Sequence, residues 1–192
     1  MFEPQPKARA DLQAGTLYAI TGEAGWVYYG QITPEKRIGI FRRRDREPAE
    51  PSLVVTAPIM VVIWLNHPSV GRALRKGLWR KLGQLPLVAD LVEPRPLVIW
   101  PVGTLQVKVI QTGAEEYSTF VDDPAIQNIE LAACYEADYH FPERLTVEFG
   151  AEPGEWHVGG PIWRVRKVWE ERARRSPERH QLPEGWVPTT RQ

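Results

Sequence analysis

Residues 15–32 read GTLYAITGEAGWVYYGQI, and this stretch decides the fold of the first half of the chain. Two short runs, 16–20 and 26–32, are rich in β-branched and aromatic residues, which is typical of strands. Between them, Gly22 and Gly25 can supply the positive φ values that a tight connection requires. The stretch therefore predicts a β-hairpin. It is a signal about fold and not about catalysis.

The whole chain is predicted to be a mainly β protein (α+β), a twisted antiparallel sheet or small open barrel with one or two short helices. Its 15 Gly and 18 Pro among 192 residues imply short elements and many turns without reaching the level typical of disorder. We expect a flexible lead-in over 1–13 and a single β-rich domain over 14–175, whose second half, from about residue 97, extends the first sheet. A polar tail over 176–192 is expected to be held by Trp186.

Short apolar or alternating runs outside the hairpin predict further strands. These are 37–42, 52–65 (either one strand or two divided at Pro58), 78–86, 97–100, 105–111, 116–121 and 144–149. A helix is predicted over 69–76 with Val70, Ala73 and Leu74 inward, and a helical turn at 123–124. The run 129–139 suits a helix and a strand equally, and 162–175 reads as a strand that passes into a helix.

Composition places the chain in a soluble class. No apolar run reaches the roughly 18 residues that a membrane-spanning helix needs, and the first residues contain no apolar leader segment. Cys134 is the single cysteine, so no internal disulfide can form, as expected in a reducing compartment. We expect a cytoplasmic protein without a membrane partner.

The formal net charge is zero, but the charges are unevenly distributed. Residues 35–81 contain 11 Lys and Arg against 4 Asp and Glu, whereas residues 109–155 contain 1 basic residue against 11 acidic ones. An acidic block on one surface would repel nucleic acid and attract a basic partner. The alternative is that these acids are scattered and are neutralised by the basic blocks in the fold.

The sequence contains no persuasive catalytic constellation. Its four histidines, His67, His140, His157 and His180, lie far apart, and no motif for a zinc site, a serine nucleophile or a triphosphate loop is present. We therefore expect no catalytic residues, no metal and no cofactor. Cys134 follows two alanines and is expected to be buried rather than nucleophilic.

One alternative is a small metal-dependent hydrolase. If residues 136–140 formed a strand, Glu136, Asp138 and His140 would share one face and could hold a metal or transfer a proton. Against this interpretation, polar residues that alternate with Ala137 and Tyr139 are typical of any half-solvated strand.

A second alternative is a nucleic-acid-associated regulator that uses the basic segments 42–46 and 72–81. Nucleic-acid binding is disfavoured because these segments carry no recognised motif and the acidic block opposes it. Aromatic residues could stack on bases or anchor a partner. Trp64 and Trp100 are expected in the core, and the candidates for surface anchors are Trp26, Trp79 and Trp163.

Three short motifs resemble the immunity-protein-26 family of bacterial polymorphic toxin systems. They are the Gly-led strand GTLYAI at 15–20, the run YYGQI at 28–32, and WRKLG at 79–83 followed by LPL at 85–87. The resemblance covers 12–96, about half of the chain. It implies a non-enzymatic cytoplasmic protein that binds a cognate toxin domain and neutralises it by occlusion.

The acidic block is compatible with that role, because it could fill the basic groove of a nucleic-acid-cleaving toxin. The partner is then expected to be a basic toxin domain. Our hypothesis for the partner-binding residues is Glu115, Glu116, Asp122, Asp123, Glu130, Glu136 and Asp138.

Overall fold

The computed structural model describes residues 1–150 and 159–189. They group into two compact units, residues 1–93 with 134–150 and residues 94–133 with 159–189. The first unit holds a curled, mixed six-stranded sheet and the second a four-stranded sheet, so the predicted α+β class is confirmed. The expected single domain stays a prediction. Within the described ranges, no helix is long and apolar enough to span a bilayer.

The helices and strands, numbered in chain order, are β1 (Thr16–Thr21), β2 (Val27–Ile32), β3 (Ile38–Asp45), α1 (Pro51–Val54), β4 (Ile59–Leu65), α2 (His67–Arg75), β5 (Trp79–Gln84), β6 (Leu97–Ile99), β7 (Gln106–Ile110), β8 (Tyr117–Phe120), β9 (Glu130–Leu131), β10 (Cys134–Tyr135), α3 (His140–Gly150) and α4 (Ile162–Arg175). Three single 3-10 turns lie at Glu23–Gly25, Ala89–Leu91 and Pro124–Ile126. The turn at Pro124 confirms the predicted helical turn.

The predicted hairpin is the centre of the first sheet, whose strand order is β10-β4-β3-β2-β1-β5. β1 and β2 pair antiparallel with Leu17 opposite Gln31, and Gly25 in their connection has φ of 74°. Alternate residues of β1 enter two apolar layers, because successive strand side chains point to opposite faces. Leu17 lies in one layer with Phe41 and Val54, while Tyr18 contacts the Trp79 ring in the other.

Gln31 is a fully buried polar residue that joins three chain segments. Its Nε2 donates to the carbonyl oxygens of Gly15 (3.2 Å) and Pro86 (3.0 Å), and its Oε1 accepts from the Val88 amide (3.1 Å). Buried polar groups need such partners. The YYGQI motif therefore fixes the start of β1 and the chain after β5 against β2.

Two strand predictions are wrong because a local alternation resembled a strand where a helix forms. Residues 144–149 belong to α3, in which Phe141, Leu145 and Glu148 are buried at helical spacing and Arg144 pairs with Glu148 one turn on. Residues 162–175 are helical throughout as α4, with no initial strand. Both helices need an apolar sheet to pack on, which a local pattern does not reveal.

The long apolar run 52–65 is also divided differently from the prediction. Its first part forms α1, which Pro51 begins, and the strand β4 starts only at Ile59. The helix predicted over 69–76 is confirmed as α2, with Val70, Ala73 and Leu74 buried.

In the second unit the strand order is β8-β7-β6-β9, and α4 contributes to the core of this sheet. Val98 and Val107 from the sheet and Val165 from the helix share that core. Trp186 stacks on Trp100, with ring centroids 5.9 Å apart. The prediction that Trp186 holds the tail is therefore confirmed.

Replacement of Gln31 by Met should lower the free energy of unfolding by about 2–4 kcal/mol, because it removes the three hydrogen bonds that this buried side chain makes to the backbone. Gln84→Met is the matched control, since Gln84 also bonds a backbone carbonyl but is exposed to water. We expect the control to cost less than about 1 kcal/mol. Urea denaturation of both variants measures the difference, and equal losses would contradict this role of Gln31.

Candidate partner-binding surface

The second unit carries an exposed acidic strand at the edge of its sheet. β8 pairs antiparallel with β7, with Ser118 opposite Lys108, and no other described strand pairs with it. Residues 115–123, which we call the acidic edge, contain four carboxylates and no Lys or Arg. The prediction of an edge-like strand at 116–121 is confirmed.

The orientation of the β8 backbone follows from one hydrogen bond. The Val121 amide donates to the Leu105 carbonyl at 2.8 Å, on the side of β7. Because amides alternate in direction along an antiparallel strand, those of Ser118 and Phe120 point away from β7. The acidic edge therefore presents backbone donors as well as negative charge.

Two aromatic side chains interrupt the acids. Tyr117 is 49% exposed and Phe120 is 59% exposed, and they lie on opposite faces of β8. Neither residue was a candidate for partner binding in the sequence. The available signal was their position in a strand between two acidic pairs, at Glu115 and Asp122.

Asp123 holds the end of the acidic edge in place. Its side chain accepts from the Thr119 hydroxyl (2.6 Å) and from the Ala125 amide (2.8 Å), which caps the following turn. The hydrogen bond from Thr119 and then that from Ala125 lower the pKa of Asp123. This carboxylate therefore stays ionised and has a structural role.

The seven carboxylates proposed from the sequence lie in three places. Glu115, Glu116, Asp122 and Asp123 belong to the acidic edge, where Glu116 forms an ion pair with Lys108. Glu130 is in β9 and is only 9% exposed. The remaining two, Glu136 and Asp138, belong to the first unit.

Glu136 and Asp138 are neutralised by α2. Arg72 forms ion pairs with both carboxylates, and Lys76 Nζ lies 2.7 Å from Asp138. Asn66 also donates to Glu136. The alternative that basic blocks cancel some of the acids is therefore confirmed for this pair.

The strand face predicted for Glu136, Asp138 and His140 is wrong. β10 ends at Tyr135, and His140 is already the first residue of α3. Its Nδ1 accepts from the Glu136 amide at 3.0 Å. Across residues 1–150 and 159–189, no group of three His, Cys, Asp or Glu side chains is placed to hold a metal, and His157 lies outside those ranges.

The basic segments of the nucleic-acid alternative make several contacts within the chain. In 42–46, Arg43 pairs with Asp45. The guanidinium carbons of Arg44 and Arg46 lie over the Trp26 ring, 4.3 and 3.7 Å from its centre. In 72–81, Arg72 and Lys76 bind the carboxylates described above, and Lys81 pairs with Asp11. These contacts leave less basic surface than the sequence suggested.

Two burial predictions are wrong, and one of the three candidate surface anchors is buried. Trp64, expected in the core, is 40% exposed, and Cys134, expected to be buried, is exposed. The two are register partners on β4 and β10, so they share the outer face. Trp79, a candidate surface anchor, is 1% exposed and donates through Nε1 to the Ala137 carbonyl at 3.1 Å.

Comparison with known proteins adds no relative: no family model matches this chain, and no curated protein or solved structure matches it either.

Replacement of Asp138 by Asn should lower the free energy of unfolding by about 1–2 kcal/mol at neutral pH, because a charged acceptor of Arg72 and Lys76 is lost. Burial raises the pKa of Asp138, but hydrogen bonds from Lys76 and Arg72 outweigh it, so the pKa lies below the ordinary 3.8. Its stabilisation is thus present above that value and lost as pH falls through the lower folded-state pKa.

The difference in free energy of unfolding between the wild type and Asp138→Asn, measured by urea denaturation, should therefore disappear as the pH is lowered. Asp90→Asn is the control, since Asp90 is exposed and should show little change at any pH. A gap that stays constant from neutral pH to about pH 2 would contradict this account.

Proposed function

We propose that this chain is an immunity protein that binds a cognate bacterial toxin domain in the cytoplasm and blocks it by occlusion. The observation that carries the proposal is the acidic edge, where four carboxylates flank two exposed aromatic residues. The resemblance of residues 12–96 to the immunity-protein-26 family supports the same class.

The carboxylates and the aromatic side chains of the acidic edge would contribute differently to such an interface. Glu115 and Asp122 would attract a basic toxin surface and speed association, together with Glu116, which stays half exposed in its ion pair with Lys108. Tyr117 and Phe120 would provide buried anchors, because aromatic residues supply much of the binding energy at interfaces. Asp123 would hold the strand end in position through its bonds to Thr119 and Ala125.

The other three carboxylates proposed from the sequence contribute to the fold. Glu130 is buried and Glu136 and Asp138 are ion-paired, so we assign them to folding rather than to partner contact. The same ion pairs leave the hydrolase alternative without support from geometry. Contacts of Arg43, Arg44 and Arg46 within the chain likewise favour no nucleic-acid site.

The proposal is tested by a pull-down of the tagged chain from its native cells at moderate salt, followed by co-expression. We expect one stoichiometric partner with a basic domain, whose isolated domain arrests growth unless this chain is co-expressed. A captured protein whose domain is harmless, or whose toxicity this chain does not relieve, would contradict the proposal.

The variant Glu115→Lys/Glu116→Lys should weaken binding of that domain by more than about tenfold, mainly through slower association. Phe120→Ser should increase the dissociation rate instead. Glu178→Lys/Glu184→Lys is the matched control, with the same charge change on exposed acids of the tail. Surface plasmon resonance separates the two rates. Equal effects of the two double variants would exclude the acidic edge as the contact.

A further inference from the structure

The second unit contains a cavity of about 350 Å³, and Asp122 is the lining residue that it shares with the acidic edge. Its walls come from the chain after β8 and from α4, and they include Asp122, Gln127, Trp163, Arg166 and Lys167. This volume lies within the range of small-molecule sites in proteins.

The central feature of the cavity is a buried guanidinium. Arg166 is 4% exposed, and its Nη atoms donate to the Gln127 Oε1 (2.8 Å) and to the Val187 carbonyl (2.5 Å). Both acceptors are neutral, and Nε has no hydrogen-bond partner among the described residues. The carboxylates of Glu170 and Asp122 act on this charge but form no ion pair with it within the described residues, and a buried charge without a paired anion is costly.

The position of Arg166 is fixed before any ligand arrives. Gln127 Nε2 donates to the carbonyls of Val121 (2.9 Å) and Asp123 (2.7 Å), which turns its Oε1 towards Arg166. Burial lowers the pKa of Arg166, while the negative charges of Glu170 and Asp122 raise it. An arginine remains charged even so. The geometry is that of a preformed anion site.

We infer that this cavity binds a small organic acid with an amine or hydroxyl next to its carboxylate. The carboxylate would meet Arg166 and Lys167, which are cationic donors. Asp122 would accept from the neighbouring amine or hydroxyl, and its negative charge disfavours ligands with more than one negative charge. The apolar part of the ligand would lie against Trp163.

The choice of a single carboxylate follows from the charges of the walls. Arg166 and Lys167 supply two positive charges and Asp122 one negative charge. Lys167 Nζ lies over the Trp163 ring, 5.0 Å from its centre, so this cation–π contact keeps the ammonium group next to the aromatic wall. The inference does not rest on the proposed function, although Asp122 belongs to both the cavity and the acidic edge.

Four probes with the same phenyl group test the inference by calorimetry and thermal shift on the full chain. L-Phenylalanine and phenyllactate carry both groups, phenylpropionate lacks the donor, and phenethylamine lacks the carboxylate. We expect the first two to bind with Kd below about 1 mM. Phenylpropionate should bind at least about threefold more weakly, and phenethylamine should not bind. Failure of both two-group acids, or equal binding of phenethylamine, would overturn the inference.

Variants locate the site. Lys167→Met should weaken the binding of L-phenylalanine and phenyllactate by about tenfold. Asp122→Asn should abolish the difference in affinity between L-phenylalanine and phenylpropionate. Arg172→Met removes a charge from the same helix outside the walls of this cavity and should leave binding unchanged. Equal losses in Lys167→Met and Arg172→Met would show non-specific attraction and overturn the assignment.

Discussion

The fold of the first unit depends on the bonds that hold residues 134–139 to α2 and β5. The Ala137 amide donates to the Ser69 hydroxyl at 2.7 Å, and its carbonyl accepts from the buried Trp79 indole at 3.1 Å. Asp138 adds ion pairs to α2. These bonds return the chain to the first unit after residues 94–133 and place α3 so that Phe141 packs on Trp79.

These bonds distinguish the carboxylates that stabilise the fold from those that are exposed to a partner. Asp138 is 7% exposed at its side chain and is held by cations on α2. Glu115 and Asp122, by contrast, belong to a sheet edge on which two aromatic residues are exposed. Because burial and pairing remove a carboxylate from recognition, sequence charge alone overstates an acidic surface.

Local signals predicted local structure well. The hairpin at 15–32, the strand pair β6 and β7, and the inward face of α2 follow from alternation, turn residues and helical spacing. The predictions that failed involved distant partners. α3 became a helix because Phe141 and Leu145 pack inward. Cys134 is exposed because it lies beside Trp64 on the outer face of the sheet, whereas Tyr135 of the same strand is buried. The cavity could not be predicted from the sequence either, because the residues that form it, such as Gln127 and Arg166, are 39 positions apart.

Hydrogen–deuterium exchange of the chain, alone and bound to its purified toxin domain, tests the central claim most directly. The amides of Ser118 and Phe120 point away from β7, so we expect fast exchange in the free chain and clear protection in the complex. Protection confined to residues of the first unit, with β8 unchanged, would contradict recognition through the acidic edge.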